Sequence, residues 1–217
     1  MAVQARAHWE RIYEQKEPEE VTWFEALPET SLELIEQAGI GKEAPIIDGG
    51  GGSSRLAGAL LAAGYTDVTV ADISGAALER AREELGEAGG GINWVQADLR
   101  EHDFGRAFAL WHDRAVFHFM VEPADRDRYL RTLRGALQPG GHLVLAGFGP
   151  EAPPTCSGLP VRRYRPDEVR ELLPDFELVS SRFQLHNTPS GNRQQFFYAH
   201  LVRSGEGSTG SPSARHD

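Results

Sequence analysis

Short apolar runs alternate along this chain with longer stretches whose apolar positions recur every three or four residues. That is the pattern of strands interleaved with amphipathic helices. Residues 3–15 predict a helix with Trp9, Ile12 and Tyr13 on one side. "PETSLELIEQAG" predicts a second over 28–38, with a proline start, polar caps and a glycine stop. Strands are then expected at "PIID" (45–48), "VTVAD" (68–72), "INWVQAD" (92–98), "AFALWHD" (107–113) and "HLVLAGF" (142–148). Helices are expected between them at "SSRLAGALLAAG", "GAALERAREELGEAG" and 122–141, the last ending on a Pro-Gly-Gly stop. Apolar strands joined through helices require right-handed crossovers and a parallel sheet covered on both faces.

The last third changes character. After a short helix at 165–174, "FELVSSRFQLH" (176–186) and "RQQFFYAHLVR" (193–203) flank the turn-rich "NTPSGN". This is a hairpin signature, so the sheet should finish on an antiparallel pair. The expected fold is α/β, a doubly wound, mostly parallel seven-stranded sheet with a C-terminal antiparallel hairpin and helices on both faces. One domain is expected over 1–203, with residues 1–40 as an N-terminal helical lid. The Gly/Ser-rich 204–217 is expected to be a disordered tail.

Composition narrows the class. The 217 residues suit one folded unit with a real core. A formal net charge of −10 argues against nucleic acid as the principal partner, because phosphate binding needs a basic footprint. No apolar run suits a membrane span, and the N-terminus is charged and amphipathic rather than signal-like. Cys156 is the single cysteine, which makes a reducing cytoplasm the simplest home. The eight histidines show no metal-ligand spacing, so no metal is expected.

The chemistry concentrates in "APIIDGGGGSSRLAGALLAAG" (44–64), a strand, a carboxylate, four glycines and a helix. A glycine-rich first strand–helix turn in a doubly wound sheet lies where ligands sit, beyond the carboxyl ends of the strands. Asp48, Asp72 and Asp98 close three successive predicted strands, each followed by a loop. A dinucleotide would bring its pyrophosphate to the helix mouth beside Asp48, where the like charges repel. S-adenosylmethionine carries no phosphate, and its ammonium and sulfonium welcome a carboxylate.

The stretch Asp48-Gly-Gly-Gly-Gly resembles the acidic D-x-G-x-G motif of class I S-adenosylmethionine-dependent methyltransferases. Asp72, Asp98-Leu99 and "LQPGGHLVL" (137–145) fall where that family carries its later motifs. The resemblance covers about residues 5–203 and implies a methyltransferase whose product is S-adenosylhomocysteine. It implies cofactor contacts from Asp48, Gly50 and Gly52 at the methionine end, from Asp72 with Ile73 at the ribose, and from Asp98 with Leu99 at the adenine. Trp9 and Tyr13 in the lid and His112 complete the implied cofactor set.

The acceptor site of that family lies beyond the fourth strand. Here the chain reads "LWHDRAVFHFMVEPADRDRY" (110–129), with Asp113, Arg114 and His118 among aromatic residues as candidate catalytic groups. An amine acceptor must lose a proton, which suits a His118–Asp113 pairing. A thiol ionises more readily and is favoured by a cation such as Arg114. Read as packing instead, Trp111, Phe117, Phe119 and Met120 are core and Arg114 pairs with Asp113 or Glu122.

The segment resembles the Asp-Arg region of thiopurine-type methyltransferases. It also resembles the Asp-Lys-Gly-Thr region of seven-β-strand protein-lysine methyltransferases, which share a W-x-x-x-Y element like Trp9 and Tyr13. Arg114 replaces their lysine, and His118 stands where they carry an acidic residue. A small-molecule acceptor is therefore the first expectation, a basic protein substrate the alternative, and a cofactor-binding module without turnover the third. Oligomeric state is left open. The glutamates of "HWERIYEQKEPEEVTWF" (8–24) read as a solvated face. Cys156 lies in a loop after the fifth strand that could close over the acceptor, and Arg162, Arg163 and Tyr164 of the same loop could touch an anionic substrate.

Overall fold

The computed structural model describes residues 2–205. Seven strands form one sheet: β1 Ile46–Gly49, β2 Val68–Asp72, β3 Asn93–Gln96, β4 Phe108–Arg114, β5 Leu137–Phe148, β6 Phe176–Asn187 and β7 Arg193–Arg203. Their spatial order is 3-2-1-4-5-7-6. Strands β3, β2, β1, β4 and β5 pair in parallel, and β7 runs antiparallel to both β5 and β6. Six strands thus point one way, with the antiparallel hairpin expected from "NTPSGN" at one edge. The helices are α1 Ala2–Gln15, α2 Glu29–Gln37, α3 Leu56–Ala62, α4 Gly75–Leu85, α5 Pro123–Ala136 and α6 Pro166–Leu172. Among the described residues no helix is long and apolar enough to cross a membrane. Residues 206–217, most of the expected tail, lie outside the described residues.

Strand alternation divides the core in two. Ile46, Leu110 and Val144 pack with α2 and α3 on one face, while Ile47, Trp111 and Leu143 pack with α5 on the other. The same alternation decides where functional side chains go, because β1 and β4 pair with Asp48 opposite His112 and Gly49 opposite Asp113.

Two elements end elsewhere than expected. β3 stops at Gln96, so Asp98 lies in the loop beyond it instead of closing the strand. The helix expected over 122–141 ends at Ala136, and Leu137 is already extended (φ −86°, ψ 126°) and paired with Phe108. Pro139 sets the limit, since a helix ends at or before the residue preceding a proline, here Gln138. Gly140 then takes φ +74°. The "PGG" stop therefore sits inside an irregular start of β5.

Leu133 of α5 is fully buried against the Trp111 face. Leu133→Ala should cost about 2–5 kcal/mol, from lost burial plus the cavity left behind. Urea unfolding followed by circular dichroism reads this as a lower midpoint at unchanged slope.

Candidate active site

The site is built where β1, β2 and β4 end. Asp48 is buried at the end of β1, and its Oδ1 lies 2.7 Å from His112 Nδ1 on β4. His112 Nε2 lies 2.9 Å from Ser31 Oγ of α2, which fixes the ring from both sides. The second oxygen, Asp48 Oδ2, is buried with no partner. A Cβ on Gly51 would sit 2.6 Å from that oxygen, so glycine is what leaves it open. An uncompensated carboxylate oxygen in the interior is costly unless a cation or donor meets it.

The next glycines are equally constrained. Gly50 takes φ +77° and passes so close to Val116 that a Cβ would lie 1.9 Å from Cγ2. Gly52 takes φ +43°, and its missing Cβ leaves room for the Tyr13 hydroxyl and Asp72 Oδ2, at 2.8 and 3.0 Å from that position. The loop, helix α1 and the end of β2 thus meet at one point.

Asp72 is buried and accepts the Ser74 N–H at 2.8 Å. Burial pushes its carboxyl up to about 7; the Ser74 bond opposes this and the charges of Asp48 and Glu10 add to it. Asp98 behaves oppositely. Desolvation raises it, but Arg100 outweighs that with bonds from its N–H (3.0 Å), Nε (2.9 Å) and Nη2 (2.5 Å), holding the carboxyl below the usual range. Arg100 also lies 3.4 Å from Asp125.

Two cavities meet here, sharing Tyr13, Trp23, Gly50 and Arg114 as a common wall. The larger, about 360 Å³, is lined by Asp72, Ile73, Asp98 and Leu99, by Trp9, Val116, Phe119 and Met120, and by Cys156, Leu159 and Pro160. The smaller, about 50 Å³, is lined by Ser31, Asp48, Gly51, Ser53 and His112. Trp9 lies edge-on to Trp23 (5.7 Å between centroids) and to Phe119 (5.1 Å), so aromatic rings from three segments form one side of the larger cavity.

The residues expected around the acceptor separate. Arg114 lines both cavities, but its charge is committed: Nε donates to Tyr198 Oη (3.0 Å), Nη1 to the Trp23 carbonyl (2.9 Å), and Nη2 lies 3.0 Å from Glu25. Its ion-pair partner is thus Glu25 and not Asp113 or Glu122. Asp113 faces α5 instead. It accepts the N–H groups of Val116 (2.9 Å) and Phe117 (3.1 Å) and the Tyr129 hydroxyl (2.5 Å), which fixes the turn carrying Ala115 at φ +74°. Burial pushes Asp113 up to about 6, against the pull of the Tyr129 bond. His118 is buried in the 117–119 turn, and its Nδ1 accepts the Phe148 N–H at 3.3 Å. Its Nε2 has no partner, and burial followed by the Arg114 charge lowers it to about 3. Neither Asp113 nor His118 lines the cavity.

Sequence reasoning missed Ser31, Glu25 and Glu10. Glu10 leaves the solvated face expected for its neighbours and reaches the first turn of α4. Among the described residues no group of three or more His, Cys, Asp or Glu is arranged to hold a metal ion.

Residues 46–141 match the family described as "Methyltransferase domain". No curated protein sequence matches the chain at a significant level. Among solved structures, a chain reported with the conversion of a disulfide bond into a thioacetal group during echinomycin biosynthesis superposes with a TM-score of 0.74. It shares 19% identity over 94% of each chain. A SAM-dependent methyltransferase from Anabaena variabilis gives 0.72 at 20% identity, covering 93% of this chain and 94% of that one. The 1,6-didemethyltoxoflavin-N1-methyltransferase of Burkholderia thailandensis, with bound 1,6-didemethyltoxoflavin and S-adenosylhomocysteine, gives 0.65 at 19% identity, covering 93% and 85%.

The raised Asp72 carboxyl makes the binding of any ligand that donates to it pH-dependent. If ribose hydroxyls are those donors, S-adenosylhomocysteine should bind more tightly as pH rises from 6 to 8 through the value near 7. In the ligand-free protein the sign reverses: the fold holds this proton more tightly than the unfolded chain, so stability falls as pH rises from about 4 to about 7. Asp72→Asn should flatten both profiles, read by calorimetric titration and by thermal unfolding.

Proposed function

From the methyltransferase domain at residues 46–141, in a chain with the fold of class I S-adenosylmethionine-dependent methyltransferases, we propose transfer of a methyl group from S-adenosylmethionine to a nitrogen or sulfur of a small molecule. Such a domain is an enzyme module and its cofactor is S-adenosylmethionine. The residues present fit that cofactor: a buried carboxylate oxygen without a partner, glycines whose side chains would fill the cradle, and a second carboxylate one strand away.

When bound, the cofactor would supply a methyl carbon made electrophilic by its positive sulfur, open to in-line attack by a nucleophile with the sulfur leaving as a neutral thioether. The chain's own residues orient and enclose. In this reading Asp48, held by His112, takes the ammonium with Oδ2, and Asp72 takes the ribose hydroxyls. Ile73 and Leu99 flank the adenine, with Asp98 at its edge. Tyr13, Trp23, Gly50 and Arg114, common to both cavities, would border the methyl group. The aromatic wall excludes water, so a nucleophile keeps a bare lone pair.

Asp113 acts as a positioning residue, holding the 115–119 turn against Gly50. A base role for His118 is disfavoured by its enclosure and its lowered proton affinity. The acceptor is therefore one that needs little help to expose its lone pair, such as a thiol or a weakly basic nitrogen.

The observation that carries a small acceptor is the shape of the site. About 360 Å³ is walled by α1 and by the 155–160 segment, and a cofactor seated on Asp72 and Leu99 of the same cavity would share that volume, which leaves room for a small acceptor and not for a large one. Calorimetry should find one site for S-adenosylhomocysteine and none for NAD. Incubating the protein with tritiated S-adenosylmethionine and a cell lysate should place label in the low-mass fraction. Label confined to a protein band would replace this reading with the protein-lysine alternative.

A further inference from the structure

Glu10 lies in a helix whose other charged groups face water, yet its carboxylate is turned inward. Oε1 accepts the Gly75 N–H (2.8 Å) and the Gln96 side-chain amide (3.2 Å). Oε2 accepts the Ser74 hydroxyl (2.7 Å) and the Ala76 N–H (3.0 Å). The first turn of an α-helix has amides without intrahelical acceptors, and here a side chain from another helix supplies them, with favourable alignment to the helix dipole. Ser74 Oγ meanwhile accepts the Ala77 N–H at 3.2 Å as the cap of α4. Desolvation opposes the charge, but the bonds from Ala76, Ser74 and Gly75 outweigh it and hold the carboxyl below its ordinary range. The clasp is therefore charged at neutral pH.

Its position gives it a consequence. The preceding residue, Trp9, and Tyr13 one turn on both line the larger cavity, as does Ala5. Ser74, which Glu10 grips, also gives its N–H to Asp72. One carboxylate thus joins the wall that covers the cavity to the loop that carries its buried acid. Arg80 adds a second tie, donating to the Lys16 carbonyl at the end of α1.

We infer that Glu10 is the latch of the α1 lid and sets how fast the cofactor enters and leaves, without setting how tightly it binds. Glu10 lines neither cavity, and its partners are α4, Ser74 and Gln96. The clasp holds the lid shut whether the cavity is filled or empty. A contact that stabilises the closed form equally in both states cannot shift the binding equilibrium. It slows entry and exit by the same factor, because both need α1 to lift. The inference rests on the cofactor reading above.

Stopped-flow association and dissociation of S-adenosylhomocysteine at about pH 8.5, where Asp72 is ionised with or without the Glu10 charge beside it, followed by tryptophan fluorescence, test it on the full chain. Glu10→Ala should raise both rate constants by about tenfold, the scale of a lost charge-assisted hydrogen bond, while their ratio moves less than about twofold. Glu10→Gln, isosteric but uncharged, should fall between wild type and Glu10→Ala, and keeps the test open if the alanine variant folds poorly. Glu14→Gln, on the same helix and exposed, should match wild type. A rise in the dissociation rate alone would make Glu10 a binding residue and overturn the latch. Unchanged rates with a lower melting temperature would reduce it to a helix cap. A wild type that binds no S-adenosylhomocysteine would instead reject the cofactor reading itself.

Discussion

The site depends on one cross-strand pair. Asp48 and His112 stand opposite each other in the β1–β4 register, and the 2.7 Å bond between them fixes which carboxylate oxygen is occupied and which is open. A carboxylate free to rotate would find amide donors in the glycine loop and lose its directed lone pair. Ser31 of α2 holds the far side of the imidazole, so the N-terminal helices take part in the cradle as well as in its cover. The interior position makes this arrangement expensive, because an anion away from water is tolerated only when fully partnered. On the proposed reading the open oxygen is a binding feature. It asks for a cation, and glycine at position 51 keeps the approach clear.

Much of this was legible in the residues. Acidic groups closing successive apolar strands, with glycines after the first, give the sheet direction and the edge where a ligand lies. The terminal hairpin was legible because turn residues separate two apolar runs. The cluster at 110–122 was harder. Read along the chain, His112, Asp113 and Arg114 form one polar group. Strand alternation sends His112 to α2 and Asp113 to α5, where Tyr129 receives it. Proximity in sequence became opposition in space.

Arg114 finds its partner in Glu25, 89 positions away, a distance over which no local pattern speaks. Glu10 was hidden for the complementary reason. It sits in a glutamate-rich segment whose other members behave as composition implies, and nothing short of the fold shows that α4 begins beside it. The shortened helix before β5 was within reach, because the restriction that Pro139 imposes on its predecessor is a local rule.

Charge ties these observations together. Asp48, Asp72 and Glu10 gather at one end of the sheet in a protein of net charge −10, and their mutual repulsion helps drive Asp72 up to about 7. Glu10 is relieved by backbone amides and Asp48 by an imidazole. Asp72 is relieved only by the backbone of Ser74 and Gly52 and lines the cavity, so the residual negative potential falls inside it. A phosphate would raise that energy and a sulfonium with an ammonium lowers it. The same field offers little to an anionic acceptor, because Arg100 and Arg114, the two arginines on the cavity wall, are neutralised by Asp98, Asp125 and Glu25. On the proposed reading, methyl transfer would leave the sulfur uncharged, and the attraction that drew the donor in would weaken at the moment the product has to leave. A latch that acts on rate alone then sits where it has most effect, since affinity already falls with the chemistry.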